Sequence, residues 1–139
     1  VGEKYLNKYF STIKNNLKPN GVGAIQAIVI KDELFKRYRK NQDFIQKYIF
    51  PGGFLPSLES IKNYSNRTGL VLKSYNSYGN HYSKTLSEWR KNFINSWSQI
   101  SKQGFDNSFK KIWDFYFSYC EAGFNSKNID LIQFSVRNK

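Results

Sequence analysis

Leu6, Phe10, Ile13 and Leu17 recur at steps of four, three and four residues, which places them on one face of an amphipathic helix. Lys18-Pro19-Asn20-Gly21 supplies the proline and glycine that end such a helix. Val22 to Ile30 is an almost continuous apolar run, rich in Val and Ile and bounded by a glycine turn and Lys31-Asp32. Its length and β-branching predict a strand buried on both faces, of the kind found in parallel sheets. Gln26 interrupts that run, and an amide buried there requires hydrogen-bond partners.

Leu34, Tyr38, Ile45 and Tyr48-Ile49 predict helical segments, with the basic patch Lys36-Arg37-Tyr38-Arg39-Lys40 between them. An aromatic run then meets a double-glycine turn bracketed by prolines, Tyr48-Ile49-Phe50-Pro51-Gly52-Gly53-Phe54-Leu55-Pro56-Ser57. Proline fixes φ and glycine reaches angles closed to other residues, so this is a rigid, sharply shaped bend, expected beside buried surface. Ser57 caps a following helix with Glu59 in its first turn, and Thr68-Gly69 ends it. Leu70 to Tyr78 alternates as a strand and closes at Gly79-Asn80.

From His81 the helical period returns. Tyr82, Leu86, Trp89, Phe93, Trp97 and Ile100 share one face. After Gly104, Asp106 caps a second helix carrying Phe109, Ile112-Trp113, Tyr116 and Tyr119-Cys120, which Gly123 is expected to terminate. Ile129 to Val136 reads as a last short strand. The order is that of an α/β fold with an aromatic-rich helical insertion before the final strand.

At 139 residues the chain is one domain, long enough to bury a core. Its one cysteine rules out an internal disulfide framework and favours a reducing compartment. No apolar run approaches the roughly 18 residues of a membrane span, and no signal-peptide pattern is present. Twenty-two Lys and Arg against ten Asp and Glu leave a formal charge of +12. That surface is drawn to polyanions, whether nucleic acid or anionic lipid headgroups. Lys, Asn, Ile, Tyr and Phe are enriched together, as an AT-rich coding sequence would also produce, so charge alone does not choose a partner.

The chain has no glycine-rich phosphate loop after a strand, no Cys/His metal spacing and no second histidine for a catalytic pair. Gly21-Val22-Gly23 precedes a strand, the wrong context for a dinucleotide loop. His81-Tyr82 follows a strand. Ligands in open α/β sheets sit at the carboxyl ends of parallel strands, so parallel strands at 22–30 and 70–78 would bring Ile28 and Tyr82 to one side.

Three stretches, Tyr48 to Ser57, His81-Tyr-Ser-Lys-Thr-Leu-Ser-Glu-Trp89, and Trp113 through Tyr119-Cys-Glu-Ala-Gly-Phe124, resemble the cyclopropane-fatty-acyl-phospholipid synthases and the related mycolic acid cyclopropane synthases. The resemblance runs end to end, with the motifs in the expected order, and covers the family's C-terminal half. It implies the C-terminal part of a Rossmann-like class I methyltransferase domain spanning 1–139. The family's glycine-rich cofactor loop and catalytic glutamate fall before Val1, so the resemblance implies that most of the S-adenosylmethionine site, including the cofactor-binding N-terminal half, lies outside this chain. The chain alone is then expected to be inactive.

Carried over by position, Tyr82 matches the tyrosine that holds a bicarbonate ion, and Ile28 a residue whose backbone touches it. Gln26 stands where many members have His, as in a subgroup linked to methyl-branched products; glutamine donates a hydrogen bond but does not titrate. Phe50, Leu55, Leu86 and Phe124 match positions lining an acyl channel. Cys120 matches a cysteine often labelled catalytic, although nothing near it in sequence would make it a thiolate, and an inert buried thiol is the alternative. The implied reaction is methyl transfer from the sulfonium to a cis double bond of an unsaturated phospholipid acyl chain, followed by proton loss to the bicarbonate and ring closure. It requires an apolar pocket, sheltered by the aromatic helices and the Pro-Gly-Gly bend, with one fixed anion.

The protein is then expected to be cytoplasmic and peripherally attached to an anionic membrane surface, with a homodimer or the missing N-terminal half as protein partner. Two other classes compete. A basic module for membrane or nucleic acid would rest on charge alone, since no nucleic-acid motif is present; a non-catalytic remnant of a split gene is the third reading.

Overall fold

The computed structural model describes residues 2–139 and divides into two compact units. The first is the chain up to Tyr78 together with Ile129–Lys139; the second is Gly79–Asn128.

The first unit contains α1 (Leu6–Asn16), β1 (Val22–Ile30), α2 (Asp32–Lys40), α3 (Phe44–Tyr48), α4 (Leu58–Arg67), β2 (Leu70–Ser77) and β3 (Ile129–Asn138). The sheet order is β1-β3-β2, with β3 antiparallel to both neighbours. β1 and β2 therefore run in the same direction with β3 between them. Phe10 of α1 and Ile61 of α4 pack with Val29, Leu70, Ile132, Phe134 and Val136, which form the buried core of this unit. Phe10 lies parallel to Tyr64 across α1 and α4, ring centroids 6.4 Å apart.

This arrangement corrects the expectation of a doubly buried strand in a parallel setting. β1 alternates between exposed and half-buried over most of its length and is fully buried only at Val29 and Ile30. Its odd-numbered apolar residues join the core, while Ala24 and Gln26 share an open polar face with Ser74, Asn76, Gln133 and Ser135. The small side chains of Gly23, Ala24 and Ala27 make the run look apolar throughout, yet Gln26 is exposed rather than buried.

Local chemistry sets most boundaries. Ser57 caps α4 with Glu59 in its first turn, as expected, accepting from the Ser60 amide while the Ser60 hydroxyl accepts from the Ser57 amide at 2.9 Å. After α1 it is Asn20 that adopts left-handed backbone, at φ 61°. Asn138 then closes the end of that helix, its Nδ2 donating to the Leu17 carbonyl at 2.9 Å. At the Pro-Gly-Gly bend the Gly53 amide donates to the Phe50 carbonyl at 2.8 Å, with Gly52 at φ 78°. Proline second and a positive-φ glycine third are what a type II turn demands. Phe50 itself is 52% exposed, so the bend presents that ring outward instead of burying it.

The second unit is α5 (Gly79–Asn95), α6 (Trp97–Ser101) and α7 (Asn107–Asn125). Gly79-Asn80 opens α5 rather than ending the strand in a separate turn. The predicted single apolar face from Tyr82 to Ile100 breaks at Ser96, which leaves helical geometry at ψ 2°. Gly123 lies inside α7; the left-handed residue after the helix is Lys127, at φ 58°. Arg90 of α5 donates Nε to Asp114 of α7 at 2.6 Å, and Leu86, Phe117, Cys120 and Phe124 are buried.

Because Ser57 is 1% exposed and both members of its cap are internal, Ser57→Ala should lower stability by about 1–2 kcal/mol in urea denaturation.

Candidate functional site

Within the first unit, Gln26, Ile28 and Leu55 line one pocket of about 320 Å³, walled also by Leu6, Phe10 and Ile61. The Gln26 Oε1 accepts from Gln133 Nε2 on β3 at 3.0 Å, which orients the amide and leaves its own N–H groups as donors. At the end of β1, the Ile30 amide donates to the Pro56 carbonyl at 3.0 Å, away from β3. Backbone direction alternates along a strand, so the Ile28 amide, two residues earlier, faces that same outer edge. The Gln26 side chain stands on the open polar face with Gln133, so the Ile28 amide is the donor turned to the edge beside the apolar walls.

A second cleft, of about 610 Å³, lies under the Pro-Gly-Gly bend, and both Phe50 and Leu55 line it. Its shape is fixed by hydrogen bonds that sequence reasoning missed. Gln46 Nε2 donates to the Gly53 carbonyl at 3.0 Å and to the Tyr38 hydroxyl at 3.2 Å. That hydroxyl also accepts from the Leu55 amide at 3.0 Å. Gln46 is held in turn by Asp43, whose carboxylate accepts from its amide at 2.8 Å. Asp43 three residues before Gln46 was a legible capping signal; the reach of Tyr38 across seventeen residues was not.

Within the second unit, Tyr82 of α5 meets Phe124 of α7 edge-to-face at 5.1 Å and Trp89 at 5.8 Å. Leu86, one turn on from Tyr82, and Phe124 are each 1% exposed. Cys120 lies one turn before Phe124 and is buried, hydrogen-bonded with Tyr116. Burial, and then the neighbouring Cys120 thiol, raise the Tyr82 phenol above its ordinary pKa. Tyr116 goes further: burial first, then Cys120 and Tyr82, push it up to about 12. Both phenols are therefore neutral hydrogen-bond donors at physiological pH. Tyr116 was not singled out from the sequence, although its four-residue spacing from Cys120 was the available sign.

Among the described residues β1 passes into α2 through Lys31, and β2 reaches α5 directly, so neither strand-to-helix junction carries a glycine-rich cradle. No group of His, Cys, Asp and Glu suited to a metal occurs among them either.

The sequence profile of the family described as mycolic acid cyclopropane synthetase matches residues 1–134. The chain belongs to that family. It is 37% identical over 137 residues to the tuberculostearic acid methyltransferase UfaA1 of Mycobacterium tuberculosis, covering 98% of this chain and 32% of that protein. It is 32% identical over 133 residues to the cyclopropane-fatty-acyl-phospholipid synthase of Escherichia coli K12, covering 96% and 33%. Among solved structures, the mycolic acid cyclopropane synthase CmaA1 in complex with SAH and CTAB superposes with a TM-score of 0.86 at 26% identity, over 99% of this chain and 51% of that one. This member of the cyclopropane synthetase family thus spans about a third of its curated relatives and half of that solved chain. Its strands and helices are part of a class I S-adenosylmethionine-dependent methyltransferase fold, with the aromatic helices inserted before the terminal strand.

Tyr116 provides a pH signature. Its folded pKa of about 12 stands above the ordinary 10.0, so the neutral phenol's stabilisation is present below pH 10 and is lost as pH climbs towards 12. Wild-type protein should lose melting temperature over that window relative to its own value at pH 9, and Tyr116→Phe should lose less. The phenolate ultraviolet band assigned to Tyr116 by difference should appear only near the top of the window.

Proposed function

We propose that this chain is the C-terminal portion of an S-adenosylmethionine-dependent enzyme that transfers a methyl or methylene group to the cis double bond of an unsaturated phospholipid acyl chain. The family membership and the contact of half-buried Tyr82 with buried Phe124, one turn from buried Cys120, are the observations that support this reading. The bound cofactor would supply the electrophilic methyl group. Residues outside this chain would hold most of that cofactor, and the chain by itself would then be inactive.

The chain's own residues would do three things. Tyr82, kept neutral by burial, would donate to a bicarbonate ion and hold it in place. The Gln26 amide and the Ile28 backbone N–H would offer donors to an anion within their own unit. Phe50, Leu55, Leu86 and Phe124 would line the acyl chain's path and exclude water, so that a cationic centre meets aromatic faces and one anion instead of solvent. Cys120, buried and engaged with Tyr116, suits a packing role better than a nucleophilic one.

Gln26 favours a second reading of the product. It cannot titrate, and the relative at 37% identity is named a tuberculostearic acid methyltransferase. The cation would then lose its proton without closing a ring, and a methyl- or methylene-branched chain that keeps a double bond would leave the enzyme.

Labelled S-adenosylmethionine with unsaturated phospholipid should yield labelled acyl chains when this chain is present together with the cofactor-binding half, and none with the chain alone. Label found only on protein or nucleic acid would reject the lipid substrate. Chromatography of the released acyl esters separates ring from branch. Tyr82→Phe should lower kcat by about ten- to a hundredfold, the worth of one hydrogen bond to an anion, while leaving membrane binding within twofold. Equal loss of both would remove Tyr82 from the chemistry.

A further inference from the structure

The far end of the helical unit carries a surface that the proposed methyl-transfer site does not use. Between α6 and α7 the chain turns at Gly104, at φ 97°, with no atom within 4 Å of the place a side chain would occupy. Beside it Phe105 is 42% exposed and stacks on Phe109 at 4.4 Å. Ile94 at the end of α5 is 41% exposed. Lys110 holds its Nζ 5.4 Å from the Trp97 ring, and Lys102 and Lys111 are exposed. The single acid of the stretch, Asp106, already spends its carboxylate on the Phe109 amide at 2.8 Å.

We propose that this turn, with the adjoining ends of α6 and α7, is the part of the chain that enters the headgroup layer of an anionic bilayer. The inference rests on the lipid-modifying reading above and identifies the surface that would deliver the enzyme to its substrate. Aromatic rings settle at the level of the headgroups, and lysines reach past them to anionic phosphates. A second copy of the chain fits less well, because a two-fold contact would set this lysine cluster against itself. An exposed aliphatic such as Ile94 suits a lipid layer and offers no platform for stacking a nucleobase.

All three tryptophans lie in this helical unit, so their quenching by brominated phosphatidylcholine, mixed with phosphatidylglycerol in vesicles, reports insertion directly. The chain should sediment with such vesicles and show quenching that Trp97→Phe reduces. Phe105→Ser should cut the quenching several-fold. Lys102→Glu with Lys111→Glu, which disturbs no buried contact, should raise the lipid concentration for half-binding by about tenfold. Lys36→Glu with Lys40→Glu, on α2, should change it less than twofold; circular dichroism melts confirm that each variant is folded. If the α2 variant abolishes binding and the tip variants keep it, the tip assignment falls while the membrane reading stands. Wild-type binding that is equally tight to pure phosphatidylcholine, or displaced by an oligonucleotide, or replaced by a dimer that Phe105→Ser dissolves, also overturns it. No binding to any vesicle overturns docking altogether and leaves the acyl-labelling assay to judge the reaction separately.

Discussion

The pairing of β3 with both β1 and β2 is the constraint on which the first unit depends. β3 is last in sequence and central in the sheet, antiparallel to both neighbours, and it supplies Ile132, Phe134 and Val136 to the core. Without it β1 and β2 have no shared partner, and Phe10 and Ile61 have no floor to pack on. Contacts spanning the length of the chain are entropically costly to form, so the pairing must be held by many groups at once. The Asn138 amide at the Leu17 carbonyl and the reciprocal backbone bonds of Asn138 with Asn20 and Gly21 fasten its last residue to the end of α1.

The same strand arrangement gives the candidate site its chemistry on this side. An apolar, one-sided sheet leaves Gln26 at the rim of a greasy pocket, oriented by Gln133, with the Ile28 amide turned to the open edge. The helical unit makes a parallel provision: two phenols raised above their ordinary pKa, a thiol and a wall of aromatic rings. The residues singled out from the sequence are rings, aliphatic chains, one amide and one thiol. Such surroundings suit an apolar substrate that reacts through a short-lived cation.

Much of the element order was legible because it rests on short-range physics. The stripe at Leu6-Phe10-Ile13-Leu17, the Ser57 and Asp106 caps, and the bend at Pro51-Gly52 each follow from residues within one or two turns. Motifs at Tyr48–Ser57, His81–Trp89 and Trp113–Phe124 also sufficed to point to the family. The misreadings came where a local rule had two outcomes. Gly123 was as good a terminator as Lys127 was a poor one, yet α7 continues through it, for two more residues, before Lys127 takes the left-handed turn. Small residues in β1 imitated double burial, and Phe50 looked apolar enough to be inside.

From residue order alone came the amphipathic periods, the caps and turns, the excess of positive charge and the family, because each depends on neighbours along the chain or on motifs read directly. Folding in three dimensions decided the rest: that β3 would lie between the other strands, that Gln26 would meet Gln133, that Tyr38 would brace the bend from seventeen residues away, and that Tyr82 would meet Phe124 across two helices. Those outcomes depend on which buried surfaces and hydrogen-bonding groups find one another across the chain, and no local spacing encodes that choice.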